Sequence, residues 1–115
     1  MRDVNSVILT GRIGKELELK STPSGKSVCN FSLAVVRDES VDWIYCVAWD
    51  KGAEALTKFA HKGDRLTIQG RLMVREFEHN GENRKVTEVT VEKIVFSDKR
   101  EYREEPAETS DDLPF

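Results

Sequence analysis

Very little in this chain of 115 residues invites covalent chemistry: it holds only two cysteines, three prolines and two histidines. Cys29 and Cys46 lie in separate apolar runs without the CxxC spacing of zinc ribbons and redox motifs, so they read as reduced thiols packed as small hydrophobes. His61 and His79 have no second histidine or carboxylate cluster at ligand spacing and read as surface residues. No nucleophile stands beside a base, no carboxylate pair has a positional argument, and no glycine-rich loop is built for phosphate. Neither an enzyme nor a metal or other cofactor is expected. No run approaches the roughly 20 apolar residues that cross a bilayer, and 1–5 lacks the basic-then-apolar pattern of a secretion signal. The expectation is a cytoplasmic protein with no membrane contact.

With 38% hydrophobic residues, the chain is long enough for one domain with its own core and too short for two. Its net charge of −3 is unevenly divided: 1–96 carries 15 Lys and Arg against 14 Asp and Glu, whereas 97–115 carries 3 against 7. From Glu104 onward there are five acids and no base. Such a segment buries too little apolar area to offset chain entropy, so 1–96 is expected to be the folded domain and 97–115 a disordered acidic tail. The final residues have a second character. Asp111, Asp112 and the terminal carboxylate suit a basic rim, Leu113 and Phe115 offer apolar anchors, and Pro114 reduces the entropy lost on docking. This tip is expected to bind a protein partner.

Within the domain, apolar residues alternate over 4–13, 28–36, 41–49, 65–77 and 85–96, which predicts five strands. Asn80-Gly81 between the last two is a hairpin signal, since both positions tolerate positive φ. Over 51–62, Ala53, Leu56, Phe59 and Ala60 fall near one helical face, with Asp50 placed to cap the start and Gly63 to terminate the end. Three strands, a helix and two strands is the order of an all-β, five-stranded OB-fold, a Greek-key barrel with a helix between strands 3 and 4.

The third strand alternates in size as well as polarity. Period two sends Trp43, Tyr45, Val47 and Trp49 to one face and Ile44, Cys46 and Ala48 to the other. A narrow barrel interior favours the compact set, so the rings should point outward. In the fourth strand Leu66, Ile68, Leu72 and Val74 form the expected core row, which places Arg65, Arg71, Arg75 and Phe77 outside. Rings and guanidiniums on one face suit unpaired nucleobases, which stack on them whatever their sequence. The pattern alone leaves two other uses open, aromatics packed in the core and aromatics at an oligomer interface. A domain of net charge near zero has no long-range basic field, so stacking must supply much of any affinity, aided by Arg12, Lys15, Lys62 and Arg75.

Five segments carry a resemblance: NSVILTGRIG at 5–14, TPSGKSVCNFSLA at 22–34, DWIYCVAW at 42–49 followed by AEAL at 53–56, KGDRLTIQGRL at 62–72, and the terminal DDLPF. In order and spacing the chain resembles the bacterial and phage single-stranded DNA-binding protein family. The resemblance implies a nucleoid-associated homotetramer that wraps single-stranded DNA and recruits replication, recombination and repair proteins through its last residues. Carried over by position, Trp43, Trp49 and Phe77 match the base-stacking aromatics, and Arg75 and Lys62 match DNA-contacting cations. Arg12 and Lys15 sit where the first strand and its loop face the nucleic acid. Two departures accompany it. The segment 37–42 is shorter than the family's usual loop and lacks its aromatic, so one stacking position is missing. The long Gly-, Pro- and Gln-rich linker is also absent, and 97–110 reaches at most about 50 Å, which places a tail-bound partner close to the barrel.

Overall fold

Period-two alternation becomes six strands in the computed structural model, which describes residues 2–97: β1 (Val7–Ile13), β2 (Lys20–Ser21), β3 (Ser27–Arg37), β4 (Ser40–Trp49), β5 (Arg65–His79) and β6 (Glu82–Phe96). One helix, α1 (Asp50–Phe59), joins β4 to β5. The five expected strands are β1, β3, β4, β5 and β6; β2 adds a bridge of two residues, too short for periodicity to reveal. The tail and its tip, Asp111, Asp112, Leu113, Pro114 and Phe115, lie outside the described residues.

The strands run β1-β5-β6-β4-β3-β2, and β1 closes the sheet by pairing with β3 as well, at Arg12 with Ala34 and Ile13 with Leu33. Strands β4 and β6 meet in parallel at Cys46 with Val89 and Val47 with Thr90. This is the closed Greek-key barrel of an OB-fold. Its interior holds Ile13, Cys29, Phe31, Leu33, Cys46, Ala48, Leu66, Ile68 and Val89, and α1 plugs it with Ala53 and Leu56. Both cysteines are buried free thiols, and burial pushes the Cys46 thiol up to about 12.

The helix differs from expectation at both ends. Trp49 occupies the cap position in an extended conformation with no side-chain hydrogen bond, while Asp50 takes φ 54° inside the first turn. Because β4 runs straight into α1, the reversal must be made at a single residue, and Asp tolerates the left-handed region better than most. At the other end Ala60 is the cap, its N–H donating to Leu56 O at 2.9 Å. Gly63, at φ 88°, belongs to the next turn, where its N–H donates to Ile13 O and ties the loop to β1. Phe59, expected on the buried helical face, is exposed and meets Phe96 edge-on at 6.2 Å.

Strands β5 and β6 are 15 residues each, longer than the barrel needs, and pair continuously to a turn at Asn80-Gly81, where φ is 54° and 79°. The expected hairpin is therefore present, and its outer half projects as a two-stranded arm. Leu72 and Val74 correct the expected core row: they keep the inward parity of Ile68 but lie beyond the barrel wall, 47% and 61% exposed. Two devices set the root of the arm. The register shifts between Gln69 and Gly70, leaving Glu92 of β6 without a partner in the ladder. Asn5 clasps Leu72, its Nδ2 donating to Leu72 O and its Oδ1 accepting from Leu72 N, each at 2.9 Å. The clasp occupies the place where sequence periodicity extended the first strand back to Val4, which is exposed.

At the register shift the chains approach so closely that a Cβ on Gly70 would collide with the backbone oxygen of Thr90, whereas a Cβ on helical Gly52 meets open space. Gly70→Ala is expected to destabilise the fold by about 1–3 kcal/mol. Gly52→Ala is expected to stabilise it by about 0.5–1 kcal/mol. Urea unfolding of both variants checks the pair, and equal effects of one sign would contradict this account of the bulge.

Candidate nucleic-acid interface

On β4 the alternating row Trp43, Tyr45, Val47 and Trp49 lies opposite Ala34, Ser32, Asn30 and Val28 of β3. These partners are small or polar, so they do not roof the rings: Trp43 is 58% exposed, Trp49 41%, and Phe77 on the arm 40%. Val47 departs from the expected outward set because it is buried. There β4 is flanked on both sides, by Asn30 of β3 and Thr90 of β6. The row continues across β6 to Arg71, which pairs with Thr90, so Arg71 shares the face. Its guanidinium is half-buried and held by Glu92, the bulge residue, with Nε 3.1 Å from Oε2.

The remaining cations cluster by backbone design. Trp43 lies across Gly14, where an added Cβ would come within 2.6 Å of the ring, so the missing side chain makes the seat for the indole and sets Lys15 next to it. Arg12 lies opposite Ala34, itself opposite Trp43, and its Nη1 donates to Gly63 O at 3.1 Å. That bond brings the turn containing exposed Lys62 beside β1. Arg12, Lys15 and Lys62 thus stand toward the Trp43 end, while Arg75 and Phe77 stand on the arm.

Between the β3–β4 face and the arm runs a groove of about 460 Å³ whose walls include Lys15, Asn30, Ser32, Tyr45, Arg75, Phe77 and Glu88. Arg75 Nη2 lies 2.7 Å from Glu88 Oε2 and its Nε 3.4 Å from Oε1. Hydrogen bonding to Glu88, reinforced by its charge, raises the Arg75 pKa above the ordinary arginine value. The guanidinium carbon is 5.7 Å from the centre of the Phe77 ring. Tyr45, Asn30, Ser32 and Glu88 were not among the residues singled out for the site. For Tyr45 the signal was present in its parity with Trp43; the others reach the groove only through strand pairing.

The β3–β4 turn is closed by Arg37, whose Nε and Nη2 donate to the Asp42 carboxylate at 3.0 and 3.2 Å. Asp38 turns the chain at φ 54°. The hydrogen bond from Arg37 holds the Asp42 carboxyl below the usual carboxylate range. This tight reversal carries no ring. Among the described residues no group of three or more His, Cys, Asp or Glu is arranged to hold a metal ion.

The model of the single-strand binding protein family matches residues 4–97. Single-stranded DNA-binding protein 1 of Streptococcus pyogenes serotype M18 is 36% identical over 96% of this chain and 92% of its own length. The single-stranded DNA-binding protein of Enterococcus faecalis is 37% identical over 89% of this chain, which spans 58% of that protein. Among solved structures, the Plasmodium falciparum SSB complex with ssDNA aligns with a TM-score of 0.74 and 30% identity, covering 85% of this chain and 98% of its own.

Proposed function

This chain belongs to the single-strand binding protein family, and from that premise we propose that it binds single-stranded DNA without sequence preference, with bases on Trp43, Trp49 and Phe77 and phosphates near Arg12, Lys15 and Lys62. The observation that carries the reading is the display of both indoles to solvent along one sheet face. An exposed ring there gains nothing from the core, whereas a base laid on it gains about 1–3 kcal/mol. Duplex bases already stack on each other, so the face selects unpaired strands. The family binds DNA and breaks no bond, so the chain is not an enzyme. Arg71 shares this face and contacts the DNA beside its ion pair with Glu92.

The finer parts of the proposal concern assembly. The folded domain 1–96 acts as the DNA-binding unit. The tail 97–115 acts as the recruiting arm, with Asp111, Asp112, Leu113, Pro114 and Phe115 gripped by replication, recombination and repair proteins. A homotetramer is supported by apolar surface that no described residue covers: Ile8, Leu72, Val74 and Val95 are exposed. Over Val7–Gly11, β1 has a strand neighbour on one side only, β5, among the described residues. An unblocked strand edge beside apolar side chains favours pairing with a second copy.

Trp43→Ala and Trp49→Ala are each expected to weaken binding to an oligo-dT by about 1–3 kcal/mol in fluorescence anisotropy, with circular dichroism unchanged. Variants that unfold, while their residual folded fraction binds normally, would place the rings in a structural role instead. Deleting 111–115 is expected to abolish capture of tail-dependent partners and to leave oligonucleotide affinity equal or higher, because its acids compete with DNA for the barrel's cations. Weaker DNA binding by the truncated chain would contradict that role.

A further inference from the structure

Glu88 stands in the wall of the proposed DNA groove, where a carboxylate repels phosphate. It is also the less exposed member of its ion pair, with a side chain 14% exposed against 57% for Arg75. The carboxylate therefore lies on the sheet side and the guanidinium on the solvent side. Two physical consequences follow. A phosphate approaching Arg75 meets a pair of zero net charge, and it can take over the Arg75 donors only by stripping a mostly buried carboxylate of its partner. The two-point contact through Nη2 and Nε also fixes the guanidinium plane, next to the Phe77 ring. A flat, oriented, charge-compensated group beside a ring is a stacking surface.

Resting on the single-stranded DNA reading above, we propose that the Arg75–Glu88 pair is a neutral stacking plate for an unpaired nucleobase entering the groove, and not a phosphate contact. Glu88 is the positioning residue that holds it flat. At about 460 Å³ the groove has the dimensions of a small-ligand pocket. Tyr45 forms part of the wall, and Lys15 is the other cation among the described residues that line the groove.

The test measures oligo-dT affinity across a salt series for the parent and for Arg75→Lys, Arg75→Ala, Glu88→Gln and Trp49→Ala, each checked for folding by circular dichroism. Lysine keeps the charge and loses the plane. Arg75→Lys is therefore expected to weaken binding by about fivefold or more without altering the slope of log affinity against log salt, and Arg75→Ala, which also bares the Glu88 carboxylate, to weaken it at least as much. Glu88→Gln frees the guanidinium for phosphate and is expected to steepen that slope by about 0.7. The proposal is overturned if Arg75→Lys binds like the parent or if Glu88→Gln leaves the slope unchanged. Should the Arg75 variants fail to fold, Glu88→Gln decides alone. If the parent ignores the oligonucleotide or Trp49→Ala has no effect, the DNA reading itself falls. If those two behave as expected and only the Arg75 and Glu88 results differ, the stacking plate alone falls.

Discussion

Closure of the barrel is the constraint on which the rest depends. Two residue pairs between β1 and β3, with β5 on the other flank of β1, bend the sheet back on itself. The enclosed space is narrow, and α1 fills its end with Ala53 and Leu56. On β4 only compact side chains such as Cys46 and Ala48 fit the inward row, so the tryptophans and tyrosine must take the outward one. The proposed function is thus a by-product of packing: the inward row of β4 has no room for the tryptophans and tyrosine, and their β3 neighbours Ala34, Ser32 and Val28 leave them uncovered.

The second organising element is the arm. Strands β5 and β6 outrun the barrel, shift register at Gly70 and are clasped by Asn5, which turns a pair of strands into one wall of a groove. Charge on this surface is arranged locally. Arg71 pairs with Glu92 and Arg75 with Glu88, and Arg12, Lys15 and Lys62 lie toward the Trp43 end. A near-neutral domain can still hold an anionic polymer when flat surfaces supply the attraction and a few cations supply the register. Compensated arginines fit that division, because a guanidinium keeps its plane after its charge is balanced.

Much of this was legible in the sequence, for identifiable reasons. Period two marks a strand and its faces wherever one side is buried, so the long strands, the Asn80-Gly81 turn and the outward parity of Trp43 and Trp49 all emerged from residue order. Failures came where tertiary geometry overrides local pattern. Leu72 and Val74 carry the parity of core residues, but parity does not report where the barrel ends. Val47 has the parity of a surface residue and is covered because a parallel strand arrives beside it. Asp50 has the chemistry of a cap, yet a strand-to-helix junction without a linker needed its backbone instead. Glu88 had no signal at all, since its meaning comes from the diagonal neighbour that β5–β6 pairing supplies.

The central claim is that the solvent-facing indoles are the surface on which unpaired bases lie. Titrating intrinsic tryptophan fluorescence with a single-stranded oligonucleotide, and then with its duplex at equal phosphate concentration, tests it most directly. Strong saturable quenching by the single strand and little by the duplex is the expected result. Equal quenching by both, or none by either, would contradict the account.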